Sequence, residues 1–172
     1  MGILIAGIAV VAMLLATSSV MFSTFIATTV SGGQSIKSVT QVEVQRRGST
    51  LSITNAGFVN GGTTDLTVEM KNTGSEPVVD FADMDVIVEY TDASDKAVLT
   101  RLQYKASGIG NNQWTLAGTG VTPDSFNPQI WDADENLFIE LKVSPAVKSA
   151  AAALIVVGTP WAGSDQTTAV AP

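Results

Sequence analysis

The stretch MGILIAGIAVVAMLLATSSVMFSTFIATTVSGGQSI, Met1 to Ile36, contains no charged side chain, and every Asp, Glu, Lys and Arg of the chain stands at or after Lys37. Its first half, through Ala16, has no strongly polar residue, and its second half mixes Ser and Thr with large apolar residues. An uncharged run of this length predicts a membrane-competent helix, because about 20 apolar residues cross a bilayer core. Helical from Met1 to Val30, it would extend roughly 45 Å, beyond a hydrocarbon core of roughly 30 Å. Ser31-Gly32-Gly33 then supplies a break.

Small residues recur on this predicted helix. Gly2/Ala6 and Ala12/Ala16 are small-xxx-small pairs, with Gly7 and Ala9 between them, and such spacing permits close helix approach. Phe22, Phe25, Ile26 and Val30 continue an apolar face at helical spacing. Three readings meet these residues. As a secretory signal the run is poor, since a basic leading region is missing and the run is too long. It serves equally as a membrane anchor or as a helix that leaves the bilayer to pack against copies of itself.

Beyond Val39 the pattern changes to short alternating runs. TQVEVQR, STLSITN, TDLTVEMKN, MDVIVEY, AVLTRLQYK, NLFIELKV and AALIVVG predict strands. Turn chemistry separates them at Arg47-Gly48, Asn55-Ala56-Gly57, Asn60-Gly61-Gly62, Asn72-Thr73-Gly74 and the long Gly108–Gly120 region. Pro160–Pro172 reads either as a last strand or as a frayed end. The expected fold is α+β: a long N-terminal hydrophobic α-helix over residues 1–36, then an Ig-like antiparallel β-sandwich over residues 37–172. Only a few residues separate the two, which predicts a stalk with a head.

Composition narrows the chemistry. The chain has no His and no Cys, so disulfides, thiolate metal sites, Cys nucleophiles and His acid–base catalysis are excluded. With 16 acidic against 9 basic residues it carries −7, which leaves no basic footprint for nucleic acid. Gly118-Thr119-Gly120 is too short for a phosphate loop and lacks the following helix. No catalytic residue and no cofactor is expected. Asp80, Asp83 and Asp85, and again Asp132, Asp134 and Glu135, offer oxygen ligands to a hard cation. The competing reading is solvated acidic loops, and no metal site is assigned. Trp114, Trp131 and Trp161 read as core or subunit-contact residues. The net charge itself keeps extended assemblies apart by mutual repulsion.

Taken together these residues resemble the archaellins, within the type IV pilin-like superfamily. MGILIAGIAVVAMLLA is similar to the mature start of archaellins, NTGSEPVVDFADMDVIVEY (Asn72–Tyr90) to their turn and alternating strand, and ALIVVGTPWAG (Ala153–Gly163) to their final apolar strand. Position 5 is Ile5, where bacterial type IV pilins commonly carry Glu. No Asn-x-Ser/Thr sequon is present, so any glycan would be O-linked.

The resemblance implies a structural subunit of an archaellum-type motility filament, first membrane-inserted and then extracellular. It would be a homopolymer built through its N-terminal helix. Gly2, Ala6, Gly7, Ala9, Ala12, Leu15, Ala16, Phe22, Phe25 and Ile26 would pack in the filament core. Processing by a prepilin-type peptidase would leave Met1 first, and a separate cytoplasmic motor ATPase would drive assembly. Two alternatives stand. One is a membrane-anchored archaellum accessory or stator protein, which Gln113–Val143 resembles through Trp114, Asp124, Asn127-Pro128 and Glu135. The other is a subunit of an adhesive pilus.

Overall fold

Alternation of apolar and polar residues governs the architecture. In β2 (Asp65–Asn72), Leu66, Val68 and Met70 are buried; in β6 (Asn136–Lys142), Leu137, Ile139 and Leu141 are buried. The same rule buries Val86, Val88 and Tyr90 of β3 (Asp85–Thr91) and Ala153, Ile155 and Val157 of β7 (Ala152–Gly158). The intervening residues face outward, as period two demands for sheets with one dry face. The computed structural model describes Met13, Thr40 and residues 43–172.

β1 (Leu51–Phe58), β4 (Ala97–Tyr104), β5 (Gln113–Thr122) and β8 (Ser164–Val170) complete the set. The order is β1-β2-β6-β5-β4-β3-β7-β8. Two antiparallel halves, β1-β2-β6-β5 and β4-β3-β7-β8, are linked by a parallel β4–β5 contact confined to Gln103↔Gln113 and Tyr104↔Trp114. The buried faces of both halves share one hydrophobic cluster that includes Trp114 and Trp131. This is the expected antiparallel sandwich, and Val44–Pro172 forms one compact unit.

The outermost strands, β1 and β8, close on each other. The Ile53 N–H donates to Asp165 Oδ2 at 2.8 Å, and the Ser49 and Thr159 hydroxyls lie 2.5 Å apart. Gly163 makes this approach possible, because a Cβ there would overlap the Ser49 carbonyl oxygen. At the start of the domain Gly74 plays the same part against Gly48, whose carbonyl oxygen a Cβ would strike.

The structure departs from the sequence reading in three places. Residues 43–48 are helical, where TQVEVQR predicts a strand. Val44 is 58% exposed, so its alternation finds no sheet to bury it, and the straight-chain Glu43, Gln45, Arg46 and Arg47 are good helix formers. Asn55-Ala56-Gly57 lies inside β1 rather than at a turn, next to a register shift between Ile53 and Asn55. The Gly108–Gly120 region contains most of β5, whose register shifts between Leu116 and Val121 around the positive-φ residues Gly118 and Gly120. Of the two readings for Pro160–Pro172, the last strand is the one observed.

Tyr90 ties the sandwich to a loop: its hydroxyl donates to the Pro145 carbonyl at 2.7 Å. Burial, aided by the charge of Asp92, raises its pKa above the ordinary phenol value. A raised folded-state pKa favours the protonated form, so this stabilisation is complete below the unfolded value near 10 and is lost as pH climbs through the folded one. Tyr90→Phe is therefore expected to cost about 0.5–1.5 kcal/mol at neutral pH. It should also flatten the alkaline fall in stability, which urea midpoints at about pH 8 and about pH 11 would register.

Candidate assembly surface

The predicted filament-core residues Gly2, Ala6, Gly7, Ala9, Ala12, Leu15, Ala16, Phe22, Phe25 and Ile26, together with Met1, lie outside the described residues. So does the expected long helix that carries them. Among the described residues no helix is long and apolar enough to cross a membrane.

The acidic groups resolve into loop architecture. Glu135 is buried, and its two carboxylate oxygens accept the backbone N–H of Ser125 at 3.1 Å and of Asp132 at 3.0 Å. Trp131, fully buried, donates its indole N–H to the Glu135 carbonyl at 2.8 Å. Asn72 completes this knot. Its side-chain amide donates to the carbonyls of Glu76 and Trp131 at 3.0 and 3.2 Å, and its oxygen accepts the Gly74 N–H at 3.0 Å. Asp134 pairs with Lys71 at 2.7 Å, and the ammonium holds its carboxyl below the usual range. Asp132 accepts from Asn127, and Asp124 from the Gln129 N–H. In the other cluster Asp80 caps the 3-10 turn Phe81–Asp83, while Asp85 on β3 pairs with Arg101 at 2.5 Å. Among the described residues no group of three such side chains is disposed to hold a metal ion.

Glu135 thus organises a loop by accepting hydrogen bonds from two part-buried backbone donors. Removing it breaks both bonds, so Glu135→Ala is expected to cost about 1–3 kcal/mol. Hydrogen exchange at the Ser125 and Asp132 amides should accelerate ahead of the strands. Uniform loss of protection across the domain would contradict this local role.

The tryptophans divide. Trp114 and Trp131 are core residues with 0% exposure, and Trp114 packs its ring 4.8 Å from Tyr104. Trp161 is 37% exposed and lies with Pro160 on one side of an open groove of about 500 Å³. Pro77, Val79, Asp80 and Asp83 form the other side, with Val79 itself 65% exposed. Elsewhere, in the loop between β5 and β6, Phe126 is 84% exposed. An apolar floor with a charged rim is the composition of a protein-contact surface. The sequence marked Trp161 but not the groove, which exists only because the loop before β3 and the β7–β8 turn meet.

No family model matches the chain, and no curated protein matches it. The fold is nonetheless shared with solved structures. The archaeal flagellum of Methanospirillum hungatei aligns with a TM-score of 0.65 at 14% identity, over 96% of this chain and 90% of that one. The archaellum periplasmic stator protein FlaG from Sulfolobus acidocaldarius aligns with a TM-score of 0.51 at 15% identity, over 70% of this chain and 98% of that one. The FlaF and FlaG stator complex from the same organism gives 0.50 at 13%, over 70% and 88%. The chain therefore has an archaellar fold. Within that class it shares its architecture with a flagellar filament protein as well as with the stator proteins.

Proposed function

We propose that this chain is the structural subunit of an archaellum-type extracellular motility filament, polymerised through its N-terminal segment. The observation that carries this reading is extent: the flagellum structure matches over 96% of the chain, whereas the stator structures match over 70%. The charge-free Met1–Ile36 run supports it independently, being suited first to lipid and then to a dry polymer core. Non-closing, head-to-tail contacts between copies generate the filament. The β-domain then forms the outer surface, where a net charge of −7 per copy keeps neighbouring filaments apart. The subunit has a structural rather than a catalytic task, and the motor that drives assembly is a separate protein.

A stator-like, membrane-anchored role is the second reading. It is favoured by the 98% coverage of the FlaG chain. Electron microscopy of sheared cell-surface material, with mass spectrometry, separates the two. Filaments composed of this chain support the subunit; recovery from membranes alone supports the stator. A swimming assay of a deletion strain then distinguishes motility from adhesion.

A further inference from the structure

Among the described residues the sandwich has four strand edges, and three of them are guarded. β1 and β8 cover each other through the Ile53–Asp165 and Ser49–Thr159 bonds. The free side of β5 is kinked by the register shift at the positive-φ Gly118 and Gly120. Bulges of this kind and mutual cover are what keep an edge from pairing with another chain. β4 has neither. It pairs with β3 in unbroken register from Ala97 to Leu102, and among the described residues its other side pairs with β5 only at Gln103 and Tyr104.

The parity of β4 identifies its open groups. The N–H of Gln103 donates to the Asn112 carbonyl and that of Lys105 to the Trp114 carbonyl, both on the β5 side. Backbone direction alternates with period two. Ala97, Leu99 and Arg101 therefore present their N–H and C=O groups to the open side, and their side chains are exposed, Leu99 to 71%. An unbroken, proline-free edge displaying a leucine, its Arg101 already paired with Asp85, invites another strand.

The edge is complementary to itself. Antiparallel pairing centred on Leu99 sets Ala97 against Arg101 of the second copy and Leu99 against its own counterpart. Every open N–H and C=O of these three residues then has a partner, and the two exposed leucines cover each other. Centring on Thr100 instead would press Ala97 against Gln103, whose N–H is already engaged. Centring on Arg101 would oppose two guanidinium groups. We infer that β4 pairs with β4 of a second copy, with Leu99 on the twofold axis. The contact is isologous and closes on two copies. It is thus distinct from helix-driven polymerisation and stands or falls without it.

The chain has no cysteine, so Leu99→Cys introduces a single thiol. Hydrogen-bonded antiparallel partners have Cα atoms about 5.5 Å apart, within the roughly 4.4–6.8 Å that a disulfide spans. Oxidising the full chain in detergent micelles should convert most of the Leu99→Cys protein to a covalent pair. Glu89→Cys, also exposed and on β3 one strand away, should stay largely uncrosslinked. In the unsubstituted chain the Leu99 and Arg101 amides should be protected from exchange at high concentration and lose that protection on dilution. Equal cross-linking at both positions, or free exchange at every concentration, would overturn the pairing.

Discussion

Ala12→Asp is expected to abolish filament formation while leaving the β-domain folded. Ala12 sits in the charge-free Met1–Ile36 run, four residues from Ala16 in a small-xxx-small pair. In a helical polymer core this carboxylate would have neither water nor a cation, since every Lys and Arg lies at or after Lys37. An unpaired buried charge of this kind costs several kcal/mol per copy, about 3–5 by analogy with broken buried ion pairs. The penalty repeats in every subunit, so polymerisation should fail outright. Ala9→Asp should behave alike. Val30→Asp, nearer the polar end of the run, should be milder and still give some filaments. Negative-stain microscopy of surface preparations reads all three. Normal filaments from Ala12→Asp would falsify the assignment of this segment to a dry core. Separate measurement of the β-domain's unfolding keeps a folding defect from being mistaken for an assembly defect.

The largest loss of stability within the β-domain is expected from Trp131→Ala. The indole is fully buried, donates to the Glu135 carbonyl at 2.8 Å, and belongs to a residue whose backbone exchanges two 3.0 Å bonds with Val78. Emptying its site removes transfer energy and leaves a cavity, about 3–5 kcal/mol for a Trp-to-Ala change. It also strands an acceptor that holds the loop carrying Glu135. Against a typical total of about 5–15 kcal/mol, this approaches the margin of folding. The midpoint of urea unfolding should fall sharply. Trp161→Ala, with its ring 37% exposed on the groove, should change it little. Similar shifts for the two would contradict the division of the tryptophans between core and surface.

Most of the β-sandwich was legible in the sequence because strands such as β2, β3 and β6 alternate strictly and are bounded by turn residues. TDLTVEMKN and MDVIVEY show the rule plainly, and both became strands with a buried face. β5 was not legible, because Gly118 and Gly120 read as turn residues when they serve to bend a strand that continues through them. TQVEVQR failed for the opposite reason. Its alternation is real, but period two specifies a strand only when a neighbouring strand is present to use it. The roles of Asn72 and Glu135 were invisible as well. Each looked like solvated turn chemistry, and only the meeting of distant loops turned them into buried hydrogen-bonding hubs. The candidate groove has the same origin: Trp161 is visible in the sequence, but its setting exists only in the fold.

The seam between β1 and β8 has a consequence for how the protein is made. Its hydrogen bond from Ile53 to Asp165 joins residues 112 apart in sequence. Loop closure over such a separation is slow, and long-range pairing of this type sets folding rates. A chain emerging from the ribosome can form the β1–β2 and β3–β4 hairpins early. It cannot seal the sandwich until its last strand has left the exit tunnel. For a polypeptide whose first segment is suited to a membrane, closure of the domain is thereby deferred until β8 has been made, and that strand acts as the latch.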